Sequence, residues 1–258
     1  WWDMNGNGVA DVGEPGIPGV DLLLTYAGID GVPGNTDDIT YGATTDATGS
    51  YLFTDLPEGD YVVAVVGGTP PGMSLTHDDN GSLDGISAVG SLGMTQVYLD
   101  ADFGYNGTGS IGDFVWLDLS SDGVQDGNEP GLPGALIELT WAGVDALPGS
   151  ADDVTVLTTT DIDGYYTFDG MPGGAYELTI DPETMPSGLN PTTDPDGTAT
   201  PHHTSMALSP GDNERDQDFG YAGGGAIGDT VWFDRNGDAV FDTDEYGLPG
   251  VDLDLDWA

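Results

Sequence analysis

Several short segments of the chain carry apolar residues at every second position. In VDLDLDW, residues 251–257, apolar side chains alternate with aspartates. A period of two residues places all the apolar side chains on one face of a β-strand. Residues 20–26 and 135–141 carry the same apolar pattern. The three segments are therefore predicted to be strands with one buried face and one hydrated face.

The chain also repeats itself. WWDMNGNGVADVGEPGIPGV, residues 1–20, matches residues 116–135 and 232–251, and DADFGYNGTGS matches DQDFGYAGGGA. Ends that fall inside a repeat indicate a segment of a longer repetitive chain. We expect three repeats, of which the first lacks the start of its first strand, the second is complete and the third is partial: 1–109, 110–225 and 226–258.

Each complete repeat has room for about seven short strands separated by glycine- and proline-rich turns, which is typical of a β-sandwich. IGDFVW opens repeat 2, GYYTF and AYELTI follow in its second half, and DQDFGY closes it. The predicted fold class is all-β. We expect tandem antiparallel Greek-key β-sandwiches of the immunoglobulin or prealbumin type with EF-hand-like calcium loops.

Charge changes this picture more than any other property. The chain carries 46 acidic residues, mostly aspartate, against two basic ones, for a net charge of −44. Such a charge repels itself in a compact fold, so we expect bound cations or high salt to neutralise it. No basic patch can form for nucleic acid or an anionic membrane, and no apolar run is long enough to span a bilayer. Since there is no cysteine, metal is the expected staple.

Three segments at equivalent places in the repeats have the spacing of an EF-hand calcium loop. That loop needs side-chain oxygens at positions 1, 3, 5, 9 and 12, a backbone carbonyl at position 7 and a glycine at position 6. Calcium takes about six to eight oxygens, and a bidentate glutamate at position 12 completes the shell. The predicted ligands, with the carbonyl of each valine, are Asp3, Asn5, Asn7, Val9, Asp11 and Glu14; Asp118, Ser120, Asp122, Val124, Asp126 and Glu129; and Asp234, Asn236, Asp238, Val240, Asp242 and Glu245.

These segments lie between predicted strands rather than helices, so we expect a structural ion and not a helix-opening switch. Two residues depart from the pattern: Ser120 is a poorer ligand than Asn or Asp, and Ala239 replaces the glycine at position 6. The alternative is a set of Asp, Asn and Gly turns that only hydrate the hairpins. Three matches at equivalent positions favour calcium over that alternative.

Other acidic clusters are weaker candidates for calcium, against the alternative of hydrated acidic loops. They lie in GIDGVPGNTDD and GVDALPGSADD, in THDDNG and TTDPDG, and where each DxDFGY motif precedes the opening IGD of the next repeat. The residues are Asp30, Asp37, Asp38, Asp145, Asp152, Asp153, Asp78, Asn80, Asp194, Asp196, Asp102, Asp218, Asp113 and Asp229.

The segments IGDFVWLDLSSDGVQDGNEPGLPGALIEL, TTDIDGYYTFDGMPGGAY and DFGY resemble the B domains of serine-aspartate-repeat surface adhesins, relatives of the collagen-adhesin B-type sandwich. The resemblance covers essentially the whole chain. It implies a secreted, calcium-loaded, rod-forming stalk at the cell surface. It implies no adhesion ligand, which that family binds with a separate head domain. Some relatives carry a Lys–Asn isopeptide cross-link, which a chain without lysine cannot form.

The remaining motifs carry less information. His77, His202 and His203 are expected to be surface histidines rather than metal ligands. NGS at Asn80 and NGT at Asn106 are expected to be turns rather than glycosylation sites. The sequence has no G-x-S-x-G elbow, no P-loop and no cysteine nucleophile, so we expect no enzyme.

The leading functional interpretation is a structural calcium-binding segment of an extracellular fibre, stalk or surface adhesin, whose partners are adjacent repeats or identical fibre subunits. The alternative is a calcium-dependent module that binds a glycan or a protein. A halophile's acidic surface with K⁺ or Na⁺ as counterion would not explain the loop spacing. Strand directions point each EF-like segment toward the next repeat's acidic loop. We therefore expect several Ca²⁺ per repeat that stiffen the junctions, with Asp102 approaching residues 145–153 and Asp218 the corresponding part of repeat 3.

Overall fold

The computed structural model describes residues 1–254, and the chain divides into two compact units, Trp1–Gly223 and Gly224–Ala258. The first unit contains repeats 1 and 2. Across residues 1–254 the regular structure is β-strand apart from one 3₁₀ turn, Pro182–Thr184. No helix in that part of the chain is long and apolar enough to cross a membrane. The predicted all-β class is confirmed.

Repeat 2 is a sandwich of two sheets. One sheet has the order β10-β7-β15-β12, with the short β14 also paired to β7, and the other has the order β13-β11-β8-β9. Its strands are β7 Gly109–Leu117, β8 Leu136–Trp141, β9 Val154–Thr159, β10 Tyr165–Met171, β11 Gly174–Asp181, β12 Leu189–Thr193, β13 His203–Leu208, β14 Asn213–Glu214 and β15 Phe219–Gly223.

The period-two pattern fills the space between these sheets. In β8 the side chains of Ile137 and Leu139 are fully buried and Trp141 is 2% exposed. Tyr166 and Phe168 of β10 approach from the opposite sheet and are also buried. Burying such side chains contributes about 1.5–3 kcal/mol each, which is the main force holding the two sheets together.

Repeat 1 has the same plan with fewer paired residues. Its sheets have the orders β2-β1-β3-β5 and β4-β6. Its strands are β1 Asp21–Tyr26, β2 Ile39–Thr44, β3 Gly59–Gly67, β4 Met73–Asp78, β5 Ile86–Leu92 and β6 Phe103–Gly107.

Residues 51–56 of repeat 1 form no strand, although they match β10 of repeat 2. In repeat 2, β10 pairs with β7, from Tyr165 opposite Phe114 to Met171 opposite Gly109. Residues 51–56 have no such partner strand among residues 1–254.

The strand predicted over 251–257 is not seen where the structure describes it. Residues 251–254 are exposed and unpaired, and Leu255 and Trp257 lie outside the described residues. The equivalent strands β1 and β8 each pair with two neighbours. Residues 251–254 have no such neighbours in the part of the chain that the structure describes, and period-two alternation alone does not produce a strand here.

Strand direction decides which loops share an end of the sandwich. The closing strand β15 runs parallel to the opening strand β7, so both end beside the EF-like segment. There the N–H of Asp118 donates to the carbonyl of Tyr221 at 2.8 Å. In repeat 1, the N–H of Asp3 donates to the carbonyl of Tyr105 at 2.8 Å in the same way. The EF-like segment of repeat 1 therefore lies at the end where repeat 2 begins.

We predict that Tyr166→Phe destabilises repeat 2. The Tyr166 hydroxyl, buried between the sheets, donates to the carbonyl of Gln217 at 2.6 Å. Its loss leaves that carbonyl without its donor, at a cost of about 1–3 kcal/mol. The matched variant is Tyr51→Phe, whose hydroxyl donates to Ala101 from a more exposed position. Urea unfolding should show the larger loss for Tyr166→Phe; equal losses would contradict the burial argument.

Candidate metal centre

The three EF-like loops are loop 1 (residues 3–14), loop 2 (118–129) and loop 3 (234–245). Loop 2 begins directly after β7 and precedes β8, so it joins strands, as predicted. Its first residue, Asp118, is 1% exposed because it lies at the end of a central strand. Asp3 of loop 1 is fully buried at the equivalent place. Position 1 is thus fixed by the sandwich itself.

A carboxylate at position 1 closes each loop by accepting backbone N–H groups. In loop 2, Asp118 accepts from Ser121 at 2.6 Å and from Gly123 at 2.9 Å. In loop 1, Asp3 accepts from the N–H groups at positions 5 and 6, at 3.1 and 2.7 Å. In loop 3, Asp234 accepts from those at positions 4 and 6, at 2.7 and 2.9 Å. The bond to position 6 is common to all three.

The glutamate at position 12 folds back over each loop. Its Oε2 accepts from the N–H of the aspartate at position 9, at 3.0 Å in loops 1 and 2 and 3.1 Å in loop 3. Its Oε1 accepts from an N–H at position 2 or 3. The valine side chain at position 7 is more than half exposed in every loop: Val9 57%, Val124 59% and Val240 56%. Position 7 therefore contributes its backbone and not its side chain to the loop.

In loop 1 the two asparagines predicted as ligands lie close together. The side-chain amides of Asn5 and Asn7 each donate to the carboxylate of Asp11 at 2.8 Å. These two donors lower the pKa of Asp11. Positions 3, 5 and 9 of the predicted calcium shell are thus in contact with one another.

Position 6 has a left-handed backbone in all three loops. Gly8 has φ +74°, Gly123 +75° and Ala239 +61°. The left-handed region costs a residue with a Cβ roughly 1–2 kcal/mol. Loop 3 therefore keeps the loop conformation despite its alanine and carries strain that the other two loops avoid.

The long acidic loops use their carboxylates to hold turns. Asp152 accepts from the N–H of Val144 at 2.8 Å, and Asp153 from that of Gly149 at 2.6 Å. In repeat 1, Asp37 accepts from Ile29 at 3.1 Å and Asp38 from Gly34 at 2.6 Å. Asp30 and Asp145 each bond within the same loop. The two equivalent loops thus share the same turn geometry.

Asp78 and its counterpart Asp194 are both buried but differ in their partners. Asp78 accepts from the N–H groups of Ser82, Asp84 and Gly85 at 3.0–3.2 Å. Asp194 is 6% exposed, and neither of its oxygens accepts a hydrogen bond from the described residues. Burial and the neighbouring carboxyl of Asp196 raise the pKa of Asp194 to about 6. A buried carboxylate of this kind needs a cation or a proton.

The aspartates of the DxDFGY motif meet partners in their own repeat, and the position expected for Asp102 is wrong. Asp218 accepts from the N–H of Phe114 at 3.1 Å and lies near Asp113; burial and that neighbouring charge raise its pKa to about 6. Asp102 lies near the Trp1 amino group and His77, not against residues 145–153. Asp102 precedes β6, and it is the other end of that strand, at Asn106, that lies beside loop 1. Asp229 is exposed in the second unit and accepts from its neighbour Thr230.

The remaining candidate residues also differ in their exposure and in their partners. Asn80 is exposed, and its amide donates to the carbonyl of Ile86. His202 is half-buried rather than on the surface: its ring stacks on Tyr221 at 5.4 Å and its Nδ1 lies 2.8 Å from the Tyr221 hydroxyl oxygen. Among residues 1–254, no three Asp, Glu or His side chains converge closely enough to hold a metal ion by themselves.

Sequence reasoning missed two residues next to loop 1. Trp2 is 1% exposed, and its ring N–H donates to the carbonyl of Gly170 in repeat 2 at 2.8 Å. The side chain of Asn106 donates to the carbonyls of Asp3 and Met4 at 2.6 and 3.2 Å. The available signal was a break in the repeat: the counterparts are Leu117 and Ala222.

Known proteins share this sequence plan. Serine-aspartate repeat-containing protein D of Staphylococcus aureus (strain Newman) is 32% identical over 266 residues, covering 99% of this chain and 19% of that protein. Serine-aspartate repeat-containing protein F of Staphylococcus epidermidis is 33% identical over 268 residues, covering 99% of this chain and 14% of that protein. The chain thus spans less than a fifth of the length of these curated relatives.

A solved structure with a similar trace is the minor pilin GBS52 of Streptococcus agalactiae. It is 15% identical, with a TM-score of 0.33 over 86% of this chain and 90% of that one. The family assignment depends on sequence instead. The sequence model of the SdrD B-like domain family matches residues 1–102 and again residues 109–221. Because these two matches cover most of the chain, the protein belongs to the SdrD B-like domain family.

Proposed function

We propose that this chain is a structural, calcium-binding segment of an extracellular stalk or fibre of a surface adhesin. Ca²⁺ would be held in loops 1, 2 and 3, stabilise the sandwiches and stiffen the contact between repeats. Membership of the SdrD B-like family supports the surface location and the tandem-repeat role. The partners in this role are neighbouring repeats of the same chain or identical fibre subunits.

One observation carries the calcium assignment. Three loops at equivalent positions form the same closed scaffold, with a buried or partly buried carboxylate at position 1 and a glutamate folded over from position 12. Carboxylate, amide and carbonyl oxygens are the ligands that Ca²⁺ takes, about six to eight at a time. The residues present fit that donor set. A net charge of −44 adds an electrostatic drive for cation binding.

Asp194 supports a second kind of site, formed with Asp196. Both Asp194 oxygens are shielded from solvent, and neither accepts a hydrogen bond from residues 1–254. A bound cation would supply the charge that this burial demands. The counterpart Asp78 is satisfied by three N–H donors, so the site in repeat 2 has the stronger support.

Calcium removal should lower the stability of the folded chain. An ion that binds the native loops and not the unfolded chain stabilises by about 2.7 kcal/mol at a hundredfold excess over Kd. We expect EDTA to lower the melting temperature and to increase proteolysis near residues 118–129. An unchanged melt, after removal of calcium is confirmed by elemental analysis, would contradict the structural role.

Two controls separate calcium from general screening of charge. Glu129→Gln removes one carboxylate oxygen ligand while keeping the shape of the side chain, so it should reproduce the EDTA effect locally in repeat 2. Glu177→Gln makes the same change on β11, outside the loops, and should not. Titrations in high NaCl should retain the calcium effect, because monovalent salt neutralises the surface without matching the loop.

Position 6 gives a matched pair of variants. Ala239→Gly should strengthen calcium binding at loop 3, because it removes the left-handed strain at φ +61°. Gly123→Ala should weaken loop 2, since a Cβ there would lie 2.8 Å from the Thr193 hydroxyl oxygen at φ +75°. Calorimetric titration of each variant should show opposite changes, each by about three- to tenfold for roughly 1 kcal/mol. Changes of the same sign would rule out the strain argument.

Asp218 should make stability depend on pH in EDTA. Its folded pKa, about 6, is raised above the unfolded value of about 3.9. Near pH 4 Asp218 is protonated in the folded chain and costs no stability. Above about pH 6 it is ionised, and the full cost of that charge is subtracted from the free energy of unfolding. Asp218→Asn should be neutral near pH 4 and stabilising at pH 7, measured by urea midpoints.

Asp216→Asn, at an exposed position nearby, makes the same charge change and should show a smaller rise with pH. If Ca²⁺ binds beside Asp113 and Asp218, adding it should abolish the advantage of Asp218→Asn at pH 7. An advantage that calcium leaves unchanged would remove this pair from the list of ion ligands.

A further inference from the structure

The contact between repeats 1 and 2 is close. The ring of Trp2 meets that of Trp141 edge-on, with centroids 6.4 Å apart, and both residues are buried. The N–H of Gly173 donates across the contact to the carbonyl of Pro71 at 2.7 Å. A Cβ placed on Gly107 would lie 2.3 Å from the backbone of Met171, so the two main chains touch directly. The repeats therefore pack against each other rather than being joined by a free linker.

Loop 1 is part of this contact. Asp3 and Met4 are its positions 1 and 2, and the peptide unit between them is held at both ends. Its N–H donates to Glu14 Oε1 at 3.0 Å, while its carbonyl accepts from Asn106 Nδ2 at 2.6 Å. Glu14 is the position-12 ligand of the predicted ion. One peptide unit thus connects a calcium ligand to the side chain at the end of β6.

The connection continues into repeat 2. Gly170 has φ +71°, and a Cβ there would lie 2.6 Å from both Asn106 Nδ2 and the Met4 carbonyl oxygen. The Gly170 carbonyl accepts from the ring N–H of Trp2 at 2.8 Å. The irregularity in β10 at Gly170 therefore lies directly against loop 1, between Trp2 and Asn106.

The two residues that make this connection are breaks in the repeat. Trp2 corresponds to Leu117 and Asn106 to Ala222, and neither counterpart has a side-chain donor. The rest of each motif is retained: Asp3 corresponds to Asp118, and Tyr105 to Tyr221. The folding of the loop needs neither donor, since loop 2 forms the same scaffold without them. Their structural role is thus at the contact.

We infer that Trp2 and Asn106 couple cation binding in loop 1 to the docking of repeat 2. The inference rests on the proposed calcium function of loop 1. A cation that engages Glu14 and Asp3 acts on the peptide unit that Asn106 holds, and Asn106 in turn is held against Gly170. Coupling between two binding events is reciprocal. Docked repeat 2 therefore strengthens cation binding in loop 1, and a bound cation narrows the range of angles between the repeats.

The test uses the full 258-residue chain, which has no cysteine to interfere with labelling. Thr40→Cys on β2 and Ser205→Cys on β13 place spin labels at exposed positions on repeats 1 and 2. Double electron–electron resonance then gives the distance distribution between the repeats with Ca²⁺ and with EDTA. We expect a narrow distribution with Ca²⁺ and a broader one with EDTA. Asn106→Ala should broaden the distribution in Ca²⁺.

A second measurement isolates loop 1. With loops 2 and 3 disabled by Glu129→Gln and Glu245→Gln, calcium affinity reports mainly on loop 1. Asn106→Ala should weaken it about fivefold, the effect of losing one net hydrogen bond. Asn190→Ala is the control, because that amide bonds only within its own segment, to Gly188 at 3.4 Å. Trp2→Phe keeps an aromatic side chain but removes the donor to Gly170 and part of the ring volume, so it is a second variant if Asn106→Ala does not fold.

The outcomes separate the two claims. No calcium binding at loop 1 in the parent chain would overturn the proposed function there, and the coupling with it. Calcium binding that is equal in the parent, Asn106→Ala and Trp2→Phe chains, with superimposable distance distributions, would overturn the coupling alone. Weaker binding and a broader distribution in both variants, with Asn190→Ala unchanged, would establish it.

Discussion

The structure depends on hydrogen bonds from backbone N–H groups to carboxylates. With 46 acidic residues and two basic ones, the chain cannot satisfy its carboxylates with ion pairs. Among residues 1–254 the one ion pair is Arg235 with Asp244, at 3.9 Å and exposed. Asp and Glu side chains instead accept N–H groups in the three EF-like loops and in the long acidic loops. A charge-assisted bond to an N–H is stronger than a neutral one, so these loops are held by their own acids.

This use of acids places the negative charge where the chain reverses direction. Loops 1 and 2 lie at the same end of successive sandwiches, because the opening and closing strands run parallel. The sandwich cores are aliphatic and aromatic, so they neither neutralise nor screen that charge. Under the proposed function, cations in loop 1 would relieve the repulsion where repeats 1 and 2 meet. The stability of that sandwich and the order of the contact would then depend on the same site.

The sequence predicted well those features that a local period or spacing records. Alternation identified β1 and β8, and the EF-hand spacing located three loops that share the same pattern of backbone-to-carboxylate hydrogen bonds. It failed where the outcome depended on partners: residues 251–254 alternate but have no strand beside them, and residues 51–56 match β10 but lack the opposing strand. Strand direction correctly gave the end at which loop 1 lies. Asp102 was misplaced because it begins a strand whose far end meets the next repeat.

The contact between repeats 1 and 2 was not predicted from the sequence, for a related reason. Repeats are recognised by what they share, and this contact is made by what differs, a tryptophan in place of Leu117 and an asparagine in place of Ala222. In a repeat protein each unit's stability includes a term from its neighbour's surface. Residues that set this term need not follow the pattern that builds the unit. The contacts between repeats in such a chain are therefore determined by residues that depart from the repeat, and not by its consensus.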